Sequence, residues 1–197
     1  AYGNIAVFDT NSRIPAEKFA IGLNHYLPDD IRVQKSDEVE SDYHPRYRNT
    51  EKTYEYTILN TKINLPIYSR YSYHVYHPLD FEAMKEAAAL LVGEHDFSAF
   101  CSAGSQVKSK VRTIYEVSLD KQKAKGCNGG EVIRIRVRGN GFLYNMVRII
   151  AGTLVEVGEG RRSLADVKQA LSTGERQKAG PTAPPEGLVL VEIREVP

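Results

Sequence analysis

Alternating apolar and polar residues predict β-strands, because successive side chains of a strand point to opposite faces of a sheet. In residues 131–138, isoleucine and valine occupy every second position and arginine occupies the positions between them. Alternation or strand-like composition occurs in six segments, which are 2–10, 31–39, 53–60, 112–119, 131–138 and 186–196. These segments are expected to form the strands of the protein.

Apolar residues that recur every three or four positions predict four helices. The helical patterns lie in residues 15–27, 78–96, 141–158 and 163–174. Asp80 is the expected N-cap of the second helix and Gly93 its end, and Ser163 with Asp166 forms a capping-box pattern before the fourth. Strands with intervening helices favour an α+β fold, in which helices cover one face of a mostly antiparallel sheet.

A polar, irregular segment at residues 41–52 separates the first helix and its flanking strands from the rest of the chain. Segments of this composition favour loops and linkers. We therefore expect two domains, covering residues 1–48 and 49–197.

The composition is that of an ordinary globular protein, with 42% apolar residues, 26% charged residues and a formal net charge of +1. The longest apolar run, around residues 146–157, is too short to span a bilayer and contains Arg148 and Glu156. The two cysteines, Cys101 and Cys127, have no histidine or cysteine at metal-binding spacing. We expect free thiols, a cytoplasmic location and no zinc site.

Basic residues are unevenly distributed, which makes nucleic acid a candidate partner despite the small net charge. One strand carries three arginines on a single face, about 6.8 Å apart, and such a ladder can follow a nucleic-acid backbone. The alternative is the solvent-exposed face of an antiparallel sheet. The candidate RNA-binding residues are Arg134, Arg136, Arg138, Lys108 and Lys110.

Aromatic and cationic residues interleave in the segment DYHPRYR at residues 42–48. Unstacked RNA bases bind such mixtures, because rings and guanidinium groups stack on bases while the charges contact phosphates. A polar surface linker explains the same residues almost as well. Tyr54 and Tyr56, which follow in KTYEY, should share one face of a strand, and such pairs most often serve packing.

Arg148 is the single full charge in the first two thirds of the nearly apolar segment 141–158. Its apolar neighbours argue against snorkelling to solvent from the middle of the helix. Because burying an unpaired guanidinium is costly, a carboxylate or phosphate is expected to pair with Arg148. This expectation favours an active-site or ligand-binding role.

These features occur together and in order in one known family, and the chain closely resembles TruA-type tRNA pseudouridine synthases. The resemblance covers essentially all 197 residues. It implies the pseudouridine synthase fold and isomerisation of uridine to pseudouridine in the anticodon arm of tRNA, at roughly positions 38 to 40. The matching segments are FDTNSRIPAEKFAIGLNHYLPDDIRV, DYHPRYRNTEKTYEYTILN, GEHDFSAF, RGNGFLYNMVRIIAGTLVEVG and GPTAPPEGLVLVEI.

The resemblance also implies roles for individual residues. Tyr54 matches the active-site tyrosine that packs on the target base, and Arg148 matches the basic residue that pairs with the catalytic aspartate. Leu188 matches the apolar residue that lines the uracil pocket. The segment expected nearest the flipped nucleotide contains His44, Arg46 and Tyr47. The family uses no cofactor or metal, and it acts as a homodimer in which both subunits contact tRNA.

The catalytic aspartate of the family lies in a loop with the sequence RTDxGVHA, and Ala1 resembles the last residue of that motif. None of the nine aspartates of this chain has such a context; they are Asp9, Asp29, Asp30, Asp37, Asp42, Asp80, Asp96, Asp120 and Asp166. We therefore expect residues 1–48 to be the second half of the N-terminal α/β domain and residues 49–197 the C-terminal α/β domain.

Without the aspartate, the polypeptide is expected to be inactive alone and Arg148 to lack its usual partner within residues 1–197. The alternative is an RNA-binding module without catalytic activity.

Overall fold

The computed structural model describes residues 1–45, 48, 50–127 and 129–196, which form two compact units. The smaller unit is Ile5–Arg48, and the larger unit combines Ala1–Asn4 with Asn49–Pro197. The first four residues belong to the larger unit because they run beside its last strand, where the backbone N–H of Tyr2 donates to the carbonyl of Leu190 at 2.8 Å.

The smaller unit contains a 3-10 turn at Ala16–Lys18 that continues into helix α1, Phe19–Tyr26. This helix confirms the one that the spacing of apolar residues predicts within residues 15–27. The predicted strands at 2–10 and 31–39 are wrong, because the described residues there form no strand. The Val33 backbone N–H and carbonyl instead bond the side-chain amide of Asn24, both at 2.8 Å. Alternation in the sequence alone does not make a strand unless a neighbouring strand pairs with the backbone along the whole segment.

In the larger unit, the described residues build one six-stranded sheet. Its strands are β1 (Thr50–Asn60), β2 (Tyr73–Val75), β3 (Gly93–Asp96), β4 (Val111–Lys123), β5 (Glu131–Gly139) and β6 (Leu188–Glu195). The order is β2-β1-β5-β4-β3. Strand β6 pairs with the first part of β1 and β2 with its last three residues, both along the edge of β1 that is not paired with β5. Only β2 is parallel to its neighbour, so the α+β prediction is confirmed with a mixed sheet.

Strand β5 has the two faces that its alternating sequence predicts. Ile133, Ile135 and Val137 are fully buried in the main core, whereas the arginines between them lie on the other face. The antiparallel register places Tyr54 of β1 opposite Val137 and Tyr56 opposite Ile135. The two tyrosines therefore share the core-facing side of β1, as predicted.

Three helices pack in the main core with that face of the sheet: α2 (Phe81–Ala89), α3 (Met146–Gly158) and α4 (Leu164–Thr173). The Asp80 cap is confirmed, because its Oδ1 accepts from the Ala83 backbone N–H at 3.0 Å. The capping box before α4 is confirmed as well. In the part of the chain that the structure describes, no helix combines the length and apolar character needed to cross a membrane.

Two predicted helix boundaries are wrong. Helix α2 ends at Ala89 with Leu90 as its C-cap rather than at Gly93, which begins β3, and α3 begins at Met146 rather than near residue 141. Asn145, immediately before α3, has a left-handed backbone with φ 60°, which interrupts any helix from Gly141. Arg148 consequently lies in the first turn of α3 and not in its middle.

Candidate active site

Tyr54 is half-buried at the edge of the main core and packs against Phe142, which follows β5. The ring centroids are 5.2 Å apart and the rings are nearly perpendicular, at 84°. Such an edge-to-face arrangement is favourable for two aromatic rings. The pair gives this part of the sheet an aromatic surface, and no sequence feature had singled out Phe142.

Arg148 is also half-buried, and its guanidinium is held by two neutral acceptors. Nε donates to the carbonyl of Ala183 at 2.7 Å, and Nη1 donates to Oδ1 of Asn145 at 3.0 Å. No carboxylate within the described residues forms an ion pair with it. The two hydrogen bonds fix the direction of the guanidinium.

Asn145 connects Arg148 to a second loop. Its Nδ2 donates to Oγ of Ser102 at 3.0 Å, and the Ser102 backbone N–H donates to the carbonyl of Tyr144 at 3.1 Å. The pattern of apolar residues did not indicate Asn145. Its position directly before the helix, combined with the tolerance of asparagine for a left-handed backbone, is the signal that could have found it.

The loop between α4 and β6 is held by Tyr56 beside Arg148. The fully buried Tyr56 donates its hydroxyl to the carbonyl of Pro184 at 2.6 Å, so that two consecutive carbonyls receive side-chain donors. Gly187 lies directly against the Tyr56 ring, where a Cβ would be 2.8 Å from the nearest ring carbon. Leu188 then begins β6 opposite Tyr56 and packs against the same core.

Glycines let this loop approach α3 closely. A Cβ on Gly152 would collide with the carbonyl oxygen of Pro181, and one on Gly180 would lie 2.6 Å from Cα of Thr153. The Gly180 backbone N–H also donates to Oγ1 of Thr153 at 2.8 Å. The loop that carries Leu188 is therefore fixed on the same helix that carries Arg148.

Burial sets the protonation of both tyrosines. It raises the pKa of the Tyr54 hydroxyl. It also raises the pKa of Tyr56 far above its ordinary value, with a further contribution from Tyr73, while the positive charge of Arg148 opposes the rise. Both hydroxyls are therefore neutral at physiological pH. Tyr54 can act as an aromatic surface or a hydrogen-bond donor, but not as a standing phenolate base.

The structure thus brings together three residues that the family resemblance singled out. Tyr54 and Leu188 pack in one core cluster, and Arg148 interacts electrostatically with Tyr56, which lies two residues from Tyr54 on the same face. The arrangement offers an aromatic surface, an apolar wall and a guanidinium without a carboxylate.

The candidate RNA-binding arginines lie on the opposite face of the sheet. Arg134 pairs with Glu55 and Asp120, both at 3.6 Å, and Arg138 pairs with Glu51 at 2.8 Å. Arg136 is exposed and forms no ion pair with the described residues. Two of the three charges are thus compensated by carboxylates of the protein.

The remaining predicted residues are two lysines of the larger unit and the segment at residues 44–47. Lys108 is exposed and Lys110 half-buried in the loop before β4. His44 belongs to the smaller unit, and Arg46 and Tyr47 lie outside the described residues. Where the structure describes side chains, no three histidine, cysteine, aspartate or glutamate residues are grouped to hold a metal ion.

Comparisons with known proteins show which proteins the chain is similar to. Residues 87–194 match the family model described as tRNA pseudouridine synthase. A protein named tRNA pseudouridine synthase A from Acetivibrio thermocellus is 46% identical over 98% of this chain and 76% of its own length. A protein of the same name from Brevibacillus brevis matches with the same identity and coverage, and one from Halalkalibacterium halodurans is 46% identical over 96% of this chain and 69% of its own. The chain belongs to the tRNA pseudouridine synthase A family.

Proposed function

We propose that this protein serves the isomerisation of uridine to pseudouridine in tRNA. The observation that carries the proposal is a half-buried Arg148 that has two neutral acceptors and no carboxylate within the described residues. It interacts electrostatically with Tyr56, which lies two residues from Tyr54 on the same strand face. Such a charge is arranged to receive an anion. The names of the relatives and the family model support the reaction.

The reaction breaks the bond between N1 of uracil and C1′ of ribose and forms one between C5 and C1′. The proton on C5 leaves to solvent and N1 gains a proton, so the atoms balance without an oxidant or reductant. The target base has to leave its stack to be reached. We assign Tyr54 to the face of that base, Leu188 to the edge of the uracil pocket and Arg148 to the carboxylate that acts on the nucleotide.

The family resemblance motivates a target in the anticodon arm of tRNA, at roughly positions 38 to 40. A stem-loop with uridine at these positions is the substrate to use first. Loss of tritium from C5 of a labelled uridine elsewhere in the tRNA, with none from the anticodon arm, would contradict this assignment.

The nine aspartates supply no Arg-Thr-Asp segment, so we propose that the polypeptide of these 197 residues does not turn over by itself. The test is tritium release from tRNA labelled at uracil C5. It compares this polypeptide with the same residues joined to whatever the gene encodes ahead of Ala1. Release only from the longer polypeptide supports both statements, and release from the 197 residues alone contradicts the second.

The lack of an Arg-Thr-Asp segment also favours an alternative, an RNA-binding module without catalytic activity. It predicts that neither polypeptide releases tritium, whereas both bind an anticodon stem-loop. This outcome would overturn the synthase proposal. In an active longer polypeptide, Tyr54→Ala should abolish release, and the exposed Tyr71→Ala is the matched control.

We further propose a homodimer in the cytoplasm, as the family resemblance implies. Both thiols, at Cys101 and Cys127, are free, which fits a reducing compartment. Sedimentation equilibrium tests the dimer directly, and a single species of 22.1 kDa at micromolar concentration would contradict it.

A further inference from the structure

Lys52 lies next to the candidate active site, on the same face of β1 as Tyr54. The two residues are separated by one position, which places their Cα atoms about 6.8 Å apart along the strand. The antiparallel register puts Lys52 opposite Gly139 and Tyr54 opposite Val137, so both side chains leave the sheet on the side of the main core. The arginines of β5 leave it on the other side.

Phe142 lies next to Gly139, the residue of β5 that is opposite Lys52. A Cβ on Gly139 would be 3.5 Å from the terminal ring carbon of Phe142, and the same ring meets Tyr54 edge-on. The backbone of β4 fills the space in which a Gly139 side chain would lie, because a Cβ there would be 2.7 Å from the Thr113 carbonyl oxygen. Lys52 and the edge-on pair of Tyr54 and Phe142 therefore occupy neighbouring positions on one face of the sheet.

The charge of Lys52 has no acidic partner. Its Nζ donates to Oγ1 of Thr50 at 2.7 Å, and no carboxylate within the described residues forms an ion pair with it. Glu195, opposite Thr50 in β6, is not paired with it either. Lys52 is half-buried, and this burial lowers its pKa. A half-buried ammonium with a single neutral acceptor is stabilised when an anion binds beside it.

We propose that Lys52 binds an RNA phosphodiester adjacent to the nucleotide whose base packs on Tyr54. This inference rests on the proposed function and assigns the phosphate contact of the same site. A nucleotide presents its base and its phosphate side by side, and Tyr54 and Lys52 occupy successive positions on one strand face, which places an aromatic residue next to a cationic one. The uncompensated charge of Lys52 contrasts with Arg134 and Arg138, whose carboxylate partners compete with any phosphate.

The test is the salt dependence of binding between the polypeptide and an anticodon stem-loop RNA. Each phosphate that a protein cation neutralises contributes a little under one unit to the slope of log affinity against log salt. Lys52→Gln should weaken binding and reduce that slope by about one unit, whereas Lys52→Arg should keep the slope. Lys168→Gln, an exposed position in α4 with the same loss of charge, is the matched control and should leave the slope unchanged.

Failures of this inference and of the proposed function are distinguishable. If the stem-loop binds but Lys52→Gln keeps the wild-type slope, Lys52 does not contact phosphate and the proposed function stands. If Lys168→Gln reduces the slope as much as Lys52→Gln, the effect belongs to net charge and the inference is overturned. If the stem-loop does not bind at all, both are overturned. Circular dichroism of each variant tests whether a reduced salt slope results from unfolding.

Discussion

Arg148 and Ala183 are joined by two hydrogen bonds of opposite direction. The Arg148 guanidinium donates from Nε to the Ala183 carbonyl at 2.7 Å, and the Ala183 backbone N–H donates to the Arg148 carbonyl at 3.1 Å. The first turn of α3 and the loop that precedes β6 are thereby fixed to each other. The residue proposed to receive a carboxylate is also one that anchors the loop leading to Leu188.

Replacing Arg148 should therefore destabilise the fold as well as change the site. Arg148→Met keeps an unbranched side chain but removes the donors to Ala183 and Asn145. The carbonyl of the buried Ala183 then lacks its side-chain donor, which costs about 1–3 kcal/mol. We expect this cost as a lower free energy of unfolding in urea. The exposed Arg136→Met removes the same charge without a partner and should stay within about 0.5 kcal/mol of wild type. Equal stability of the two variants would contradict the anchoring role.

The contact between α3 and the loop at residues 180–183 makes a second prediction. Gly152→Ala introduces a methyl group against the Pro181 carbonyl, and Thr153 with Gly180 leaves that backbone little room to retreat. Overpacking of this kind costs about 1–3 kcal/mol, measured as a lower urea midpoint.

Gly22→Ala is the matched control for that substitution, because its Cβ in α1 would have no atom within 4 Å. Alanine is favoured over glycine in a helix by about 1 kcal/mol, so this variant should be as stable as wild type or more stable. A Gly152→Ala protein that unfolds at the wild-type midpoint would show that the loop moves away freely.

The buried tyrosines predict loss of stability at alkaline pH. The pKa values of Tyr54 and Tyr56 are raised above 10.0 in the folded protein, so the folded state holds these protons more tightly than the unfolded state. Their contribution is complete below about pH 10 and is lost as pH rises from there through the folded pKa values. Urea unfolding at increasing pH should show the decrease. In Tyr56→Phe the decrease should be shallower, and parallel curves for the two proteins would contradict the assignment.

The exposed face of β5 predicts unequal effects of its arginines on RNA binding. Arg136 has no ion pair within the described residues, whereas Arg138 is 2.8 Å from Glu51. If the strand contacts RNA, Arg136→Gln should reduce the salt slope by about one unit and Arg138→Gln by less, because Glu51 already compensates Arg138. Equal slopes for wild type and Arg136→Gln would contradict RNA contact by this strand and indicate an ordinary solvent-exposed face.

The sequence by itself determined the elements whose pattern is local. Alternation in 131–138 fixed both faces of β5, and the capping residues Asp80 and Ser163 fixed the starts of α2 and α4, because side-chain direction and cap hydrogen bonds depend on neighbouring residues only. The motif resemblance determined the family.

The tertiary structure decided which elements form when their pairing partners are distant along the chain. The described residues of segments 2–10 and 31–39 have strand composition but form no strand, and the contact of Tyr2 with β6 does not extend into a ladder, while β2 and β3 pair despite weak local patterns. The site was decided in the same way. The sequence indicated that Arg148 needs an anion, but only the fold showed that Asn145 and Ala183 orient it, and that Lys52 shares a strand face with Tyr54 while two β5 arginines are paired with acids.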